Sequence, residues 1–269
     1  MTVTRYGHIV DRTGASLRRL VRAILRRASL DLVRYNHRSH PIARRMRLLS
    51  AHEISIVFDV GANIGQYASQ LRTLGYRGRI VSFEPLSDAF ERLESEAKRD
   101  PLWDAVNVAI GDSAGTATIN VAANSYSSSL LKMLPTHLRS APEAKYVRSE
   151  EVAVRTLDSL FGSYVQPNDR SFLKVDTQGY EYRVLQGASE ALERLAGLQL
   201  EMSIIPLYEG EVQFDELLSH LRSRGFQLMS VEPGFSDPST GQLLQIDGIF
   251  FREYVPRARS LPERGSSRA

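Results

Sequence analysis

The residues best suited to chemistry in this chain are carboxylates standing at the ends of apolar runs. Asp59 follows Ile56-Val57-Phe58 and leads into Val60-Gly61-Ala62-Asn63-Ile64-Gly65. Glycine at 61 allows a tight turn beside a bound molecule, where a side chain would fill the ligand's space. Gly65 lets the following helix start close to its neighbours. The spacing D-x-G-x-x-x-G differs from the G-x-G-x-x-G of dinucleotide cradles and lacks the Lys-Ser/Thr ending of a phosphate loop. A ligand bearing both an ammonium and a carboxylate fits it better: Asp59 faces the positive group, while turn amides and Asn63 receive the negative one. The methionine half of S-adenosylmethionine (SAM) carries that pair of charges.

Glu84 ends a second apolar run, Ile80-Val81-Ser82-Phe83, and precedes Pro85. It lies one strand-helix-strand unit beyond Asp59, near the offset at which an acid takes both ribose hydroxyls in nucleotide-binding sheets. A third run, Val106-Asn107-Val108-Ala109-Ile110, leads to Gly111 and Asp112. If this run is one strand of the sheet, Asp112 stands at its carboxyl edge and accepts from an adenine amino group; the competing reading is a plain Gly-Asp turn. A fourth, Phe172-Leu173-Lys174-Val175, ends in Asp176 and turns through Gly179. Asp59 and Asp176 are then expected to flank one crevice at the switch point of the sheet. Asp176 has three roles open to it there: holding the ammonium, orienting an acceptor, or taking its proton. A helix cap is its purely structural alternative.

Methyl transfer from a sulfonium to a hydroxyl needs alignment, exclusion of water and a proton acceptor. Of six histidines, only His137 falls inside the long segment 113–170 expected to cover an acceptor. Imidazole titrates near neutrality, so His137 joins Asp176 as a candidate catalytic residue. Asp176 and Glu201 also end adjacent apolar runs, which leaves a magnesium-assisted variant open; no ligand set is legible, and no metal site is assigned. A nucleotide-dependent oxidoreductase and a silent SAM-binding protein are the rival classes.

These residues need a scaffold of alternating short β-rich runs and helical stretches, which predicts an α/β, Rossmann-like sheet with helices on both faces. Strands are expected at about 54–60, 79–84, 105–110, 171–176, 197–204, 226–231 and 245–252. Helices are expected at about 64–74, 87–99, 180–195 and 212–224. The insertion 113–170 contains a β-like TATINVAA, a Ser-rich NSYSSSLL and a helical turn near 155–161.

The 269 residues are 42% hydrophobic and 24% charged, the balance of a folded globular protein. Cysteine is absent, so disulfides, thiolate zinc sites and cysteine nucleophiles are excluded. No apolar run is long enough to span a membrane, and no secretion signal opens the chain, so a cytoplasmic location is expected. Residues 1–50 carry 12 arginines against Asp11 and Asp31, a net of +10, so the rest must carry −7 for the whole to reach +3. An acidic catalytic body, 51–253, therefore follows a basic extension, 1–50, and precedes a Pro-, Arg- and Ser-rich tail, 254–269, expected to be disordered. The body has no nucleic-acid-binding character. Within the extension, residues 15–34 place Leu17, Leu20, Val21, Ile24 and Leu25 on one helical stripe and Arg18, Arg22 and Arg26 on another. Such a helix either packs on the body or makes a peripheral contact with anionic lipid on the inner membrane face.

The chain resembles the FkbM family of SAM-dependent methyltransferases. The matching segments are VFDVGANIGQYA (57–68), SFEP (82–85), NVAIGD (107–112), VRTLDSL (154–160), FLKVDTQGYEYRVLQGA (172–188), LQLEMS (198–203) and GQLLQIDGIFFRE (241–253). The resemblance implies the class I methyltransferase sheet, six strands parallel and the last antiparallel, with SAM as donor and a hydroxyl oxygen as acceptor. It implies that Asp59, Gly61, Asn63, Glu84 and Asp112 contact SAM, with Gly65 completing the turn. SSSLL (127–131) and PLYEG (206–210) look most like members that methylate deoxysugars of cell-envelope glycolipids, so a sugar or glycolipid acceptor is expected, with a small secondary metabolite as the alternative.

Overall fold

The computed structural model describes residues 12–253, with side chains from Arg19 onward. The expected tail at 254–269 lies outside the described residues. Two compact units divide between Arg44 and Arg45. The first holds α1 (Arg12–Arg27) and the start of α2 (Pro41–Ala51). α1 is shorter than the 15–34 helix expected. The Leu30 amide folds back onto the Leu25 carbonyl at 2.9 Å, and Asp31 pairs with Arg22 and Arg26 at 3.4 and 3.1 Å. Helix α2 starts on a proline, whose fixed φ and missing N–H suit the first helical position; its arginines hid its apolar face from the sequence reading.

The second unit begins with β1 (Ile56–Val60), α3 (Gln66–Thr73), β2 (Arg79–Phe83), α4 (Ser87–Ala97) and β3 (Trp103–Val106). Then come β4 (Ala109–Ile110), β5 (Gly115–Ala122), α5 (Pro135–Ser140), β6 (Tyr146–Arg155) and α6 (Leu157–Tyr164). It ends with β7 (Ser171–Val175), α7 (Glu181–Gln186), α8 (Ser189–Arg194), β8 (Leu195–Ser203), α9 (Phe214–Ser223), β9 (Gln227–Pro233) and β10 (Gln245–Phe251).

Every residue of β1 and β7 is buried, as parallel strands covered on both faces must be. The main sheet runs β3-β2-β1-β7-β8-β10-β9. Its pairs are parallel from β3 through β8, and β10 is antiparallel to both β8 and β9. This is the expected class I sheet, with the last strand inserted between β8 and β9. Alternation divides the core: Phe58, Val60, Leu173 and Val175 pack in one cluster, while Val57, Ile80 and Phe172 join Ala68 and Leu71 of α3 in the other. Asp59 and Lys174, each two residues beyond a member of the second cluster, therefore lie on the α3 side.

Two expected elements are divided. The run 105–110 is not one strand: β3 ends at Val106, and β4 pairs instead with β6 in a second sheet, β4-β6-β5. Asp112 is accordingly not at the carboxyl edge of β3, because the chain has already left the main sheet; Asn107 stands there. The helix expected at 180–195 breaks into α7 and α8 at Gly187. A Cβ there would approach the Gly111 carbonyl oxygen to 1.9 Å, and the Asp158 carboxylate accepts from the Glu190 and Ala191 amides of α8 at 3.1 and 2.8 Å. The insertion supplies β5 and β6 to the second sheet, where they pair antiparallel over eight residue pairs.

Candidate functional site

The turn after β1 is built from residues at positive φ: Gly61 at 74°, Asn63 at 48° and Gly65 at 87°. The amides of Gly61 and Ala62 donate to the Phe83 carbonyl at 3.1 and 3.0 Å, folding the turn over the end of β2. A Cβ on Gly61 would stand 1.8 Å from the Asp176 carbonyl oxygen. Backbone crowding from the end of β7 by itself requires glycine there. At Gly65 a Cβ would meet the Trp103 ring at 2.9 Å, the close packing expected of that position.

Asp59 is 0% exposed, and its Oδ1 lies 3.3 Å from Lys174 Nζ. It therefore does not stand open to a ligand's ammonium, because the protein supplies its counter-charge. Lys174 Nζ also lies 3.5 Å from Asp176 Oδ2, donates to the Gly61 carbonyl at 3.3 Å, and sits 5.4 Å from the centre of the Tyr67 ring. Burial works against this ammonium, but the carboxylates of Asp59 and Asp176 outweigh it and hold the lysine pKa above its usual value. Lys174 was not singled out from sequence. A charged residue inside a strand buried on both faces needs a buried partner, and that signal was available.

Glu84 is buried at the end of β2. Its Oε2 accepts from the Asn63 amide at 2.7 Å and its Oε1 from the Leu86 amide at 2.9 Å. Burial pushes its pKa up to about 7 against the pull of those two amides. Asn63 Nδ2 reaches Ser125 Oγ at 3.4 Å, tying the turn to the Ser-rich insertion. Asn107 donates to the Glu84 and Pro85 carbonyls at 2.9 and 3.1 Å. Asp112 pairs with Arg183 of α7 at 2.9 Å.

Asp176 is the open carboxylate, its side chain 36% exposed. Gln178, at φ 57°, donates from Nε2 to Asp176 Oδ1 at 2.9 Å and to Glu201 Oε2 at 2.7 Å. Gln245 Nε2 adds a bond to Glu201 Oε2 at 3.0 Å, and the Tyr208 hydroxyl donates to Gln178 Oε1 at 2.7 Å. Burial raises the Glu201 pKa, and Asp176, Glu181 and Asp247 add to the rise. Glu181 caps its own turn, accepting from the Thr177 and Gly179 amides at 2.8 and 3.2 Å; burial lifts its pKa to about 7. The two carboxylates considered for magnesium, Asp176 and Glu201, are thus bridged by an amide nitrogen. Among the described residues no group of three or more His, Asp or Glu is arranged to hold a metal ion.

His137 is 3% exposed and lies edge-on to Tyr208, with ring centres 5.2 Å apart, and against Phe235 at 5.3 Å. Burial drives its pKa down to about 4. Among the described residues it meets the carboxylate network through Tyr208 and bonds to neither Asp176 nor Glu201. The insertion touches the same place: Ser129 Oγ donates to the Gln178 carbonyl at 2.7 Å.

A family model, the methyltransferase FkbM domain, matches residues 59–228. The hexuronic acid methyltransferase AglP of Haloferax volcanii is 29% identical over 153 residues, which is 55% of this chain and 56% of that protein, so the match spans about half of the relative's length. Among solved structures, an FkbM methyltransferase of Methylobacillus flagellatus KT is 16% identical over 73% of this chain and 44% of that one, at TM-score 0.43. The magnesium protoporphyrin IX methyltransferase ChlM of Synechocystis PCC 6803, solved with bound SAM, is 9% identical over 93% of this chain and 87% of that one, also at 0.43. The match of the family model over more than half of the sequence, on the sheet that carries the Asp59 turn, makes this chain a member of the FkbM methyltransferase family.

Proposed function

We propose that this protein transfers a methyl group from SAM to a sugar hydroxyl, on a deoxysugar of a cell-envelope glycolipid. The observation that carries the reading is the meeting of the carboxyl ends of β1 and β7, where the Gly61 turn packs on Asp176 and Glu84 braces the Asn63 amide. In this reading Glu84 accepts from the ribose hydroxyls, while turn amides and Asn63 receive the carboxylate of the methionine half. In the same reading Asp112, paired with Arg183, is assigned to the adenine end of the cofactor.

SAM brings an activated methyl group, so the protein's work is to align the acceptor and receive its proton. We assign Glu201 as the proton acceptor of the network: Gln178 and Gln245 both donate to its Oε2 and fix the carboxylate, and burial raises its proton affinity. His137 stays neutral at working pH, but a group with a pKa of about 4 is a weak base there. The Ser-rich insertion, joined to Gln178 through Ser129, covers the acceptor.

Charge supports this choice of acceptor. The groups acting electrostatically on Glu201 are Asp176, Glu181, Asp247 and Lys174, and the lysine is already bound by two carboxylates. A neutral deoxysugar suits these surroundings better than a uronic acid, the substrate class in the name of the Haloferax relative. Mass spectrometry of glycolipids from cells with and without the gene tests this: one lipid class should lose the mass of a CH2 group for each methyl. An unchanged lipid and glycan profile would turn the search to small secondary metabolites.

The basic unit suggests where the reaction happens. On α1, Leu20 and Ile24 are 59% and 57% exposed, and Arg19, Arg22 and Arg26 are exposed with them. An apolar stripe bordered by arginines suits the face of an anionic bilayer. Among the described residues no helix is long and apolar enough to cross a membrane. We read the protein as cytoplasmic and held peripherally on the inner leaflet, beside a lipid-borne acceptor.

A further inference from the structure

Two carboxylates and one ammonium meet at the carboxyl ends of β1 and β7. Lys174 Nζ lies 3.3 Å from Asp59 and 3.5 Å from Asp176; burial raises the Asp59 pKa and the Lys174 ammonium opposes that rise, and with all three groups ionised the trio carries one negative charge in excess. That charge cannot be presented through Asp59, which is wholly buried under the turn with Ser82 Oγ on its other oxygen at 3.4 Å. Asp176 alone of the three has a substantially exposed side chain.

We propose that Asp59 serves only to neutralise Lys174, and that Asp176 is the residue that binds the ammonium of the cofactor's amino-acid half. This rests on the reading of the crevice as the SAM site and assigns one contact within it. Lys174 becomes a positioning residue. Its bond to the Gly61 carbonyl at 3.3 Å is incidental to that task, which is to fix how much charge Asp176 retains. Asp176 and Glu201, though bridged by Gln178, then have separate tasks, one on the donor and one on the acceptor's proton.

The arrangement makes a prediction that packing alone does not. Removing the Asp59 charge lets Lys174 neutralise Asp176, so ammonium binding falls although Asp59 never touches the ligand. Removing Asp59 and Lys174 together leaves Asp176 charged and restores it. Calorimetry with S-adenosylhomocysteine and with methylthioadenosine, which lacks the amino acid, reads this as a ratio of affinities. The wild-type protein should prefer S-adenosylhomocysteine by about tenfold or more, a contact worth one charge-assisted hydrogen bond. Asp176→Asn and Asp59→Asn should each erase most of that preference while leaving methylthioadenosine binding within about twofold. The double variant Asp59→Asn, Lys174→Met should recover it, because a buried pair is often replaceable as a unit.

An unchanged preference in Asp176→Asn overturns the assignment, and so does a double variant that binds like Asp176→Asn. If Asp59→Asn does not fold, the other two variants decide the matter. A wild-type protein that binds neither nucleoside would instead overturn the cofactor reading itself.

Discussion

The Cβ that Gly61 lacks would lie 1.8 Å from the carbonyl oxygen of Asp176, so two chain segments more than a hundred residues apart are in backbone contact at the centre of the site. Gly61→Ala must move β7 or abandon the turn, and its φ of 74° is itself unfavourable for alanine. The expected loss is more than about 2 kcal/mol of stability together with S-adenosylhomocysteine affinity. Thermal unfolding and calorimetry measure both; an alanine variant with wild-type affinity would contradict this placement of the turn.

Glu84 gives the cofactor site a pH dependence. Burial raises its pKa to about 7; the ionised carboxylate offers both oxygens as acceptors to the Asn63 and Leu86 amides and to ribose hydroxyls, whereas protonation turns one oxygen into a donor. S-adenosylhomocysteine affinity should therefore rise between about pH 6 and about pH 8, and Glu84→Gln should bind weakly with a flat profile. Stability runs the other way. Folded Glu84 holds its proton more tightly than the unfolded chain does, so its contribution to stability falls as pH rises from the ordinary value of 4.5 towards 7.

The proton acceptor can be identified by kinetics. Glu201→Gln should lower kcat by about a hundredfold or more with little change in KM for SAM. His137→Phe, which keeps a ring against Tyr208 and Phe235, should retain activity within a few fold, and the rate profile should show no limb near the usual histidine pKa. The reverse pattern would make His137 the base.

The exposed stripe of α1 should bind anionic vesicles. Leu20→Glu with Ile24→Glu removes two apolar side chains, each worth roughly 1.5–3 kcal/mol when buried in lipid, and co-sedimentation should fall by more than about tenfold. Methylation of a water-soluble acceptor should be unaffected. Binding that survives these changes and high salt would exclude the bilayer as the partner of this face.

Much of the scaffold was legible because periodicity is local. Apolar runs ending in Asp59, Glu84 and Asp176 announced parallel strands with their working ends on one edge, and the sheet has that form. Elements were misjudged where distant contacts overrode local pattern. The run 105–110 reads as one strand until β6 draws Ala109 and Ile110 away, and the helix after β7 reads as continuous until Gly111 and Asp158 interrupt it.

The sequence by itself determined which residue types stand at the strand ends, since strand length, glycine turns and charge placement are properties of short segments. Which carboxylate is open and which is satisfied was decided only by tertiary structure. Asp59 and Asp176 look alike in the chain, each an acid closing an apolar strand. Pairing β1 beside β7 sets Lys174 opposite Asp59, burying one carboxylate with its counter-ion and leaving the other exposed. An ionised group's behaviour depends on its distance from other charges and from water, and both distances are set by strand register across the fold.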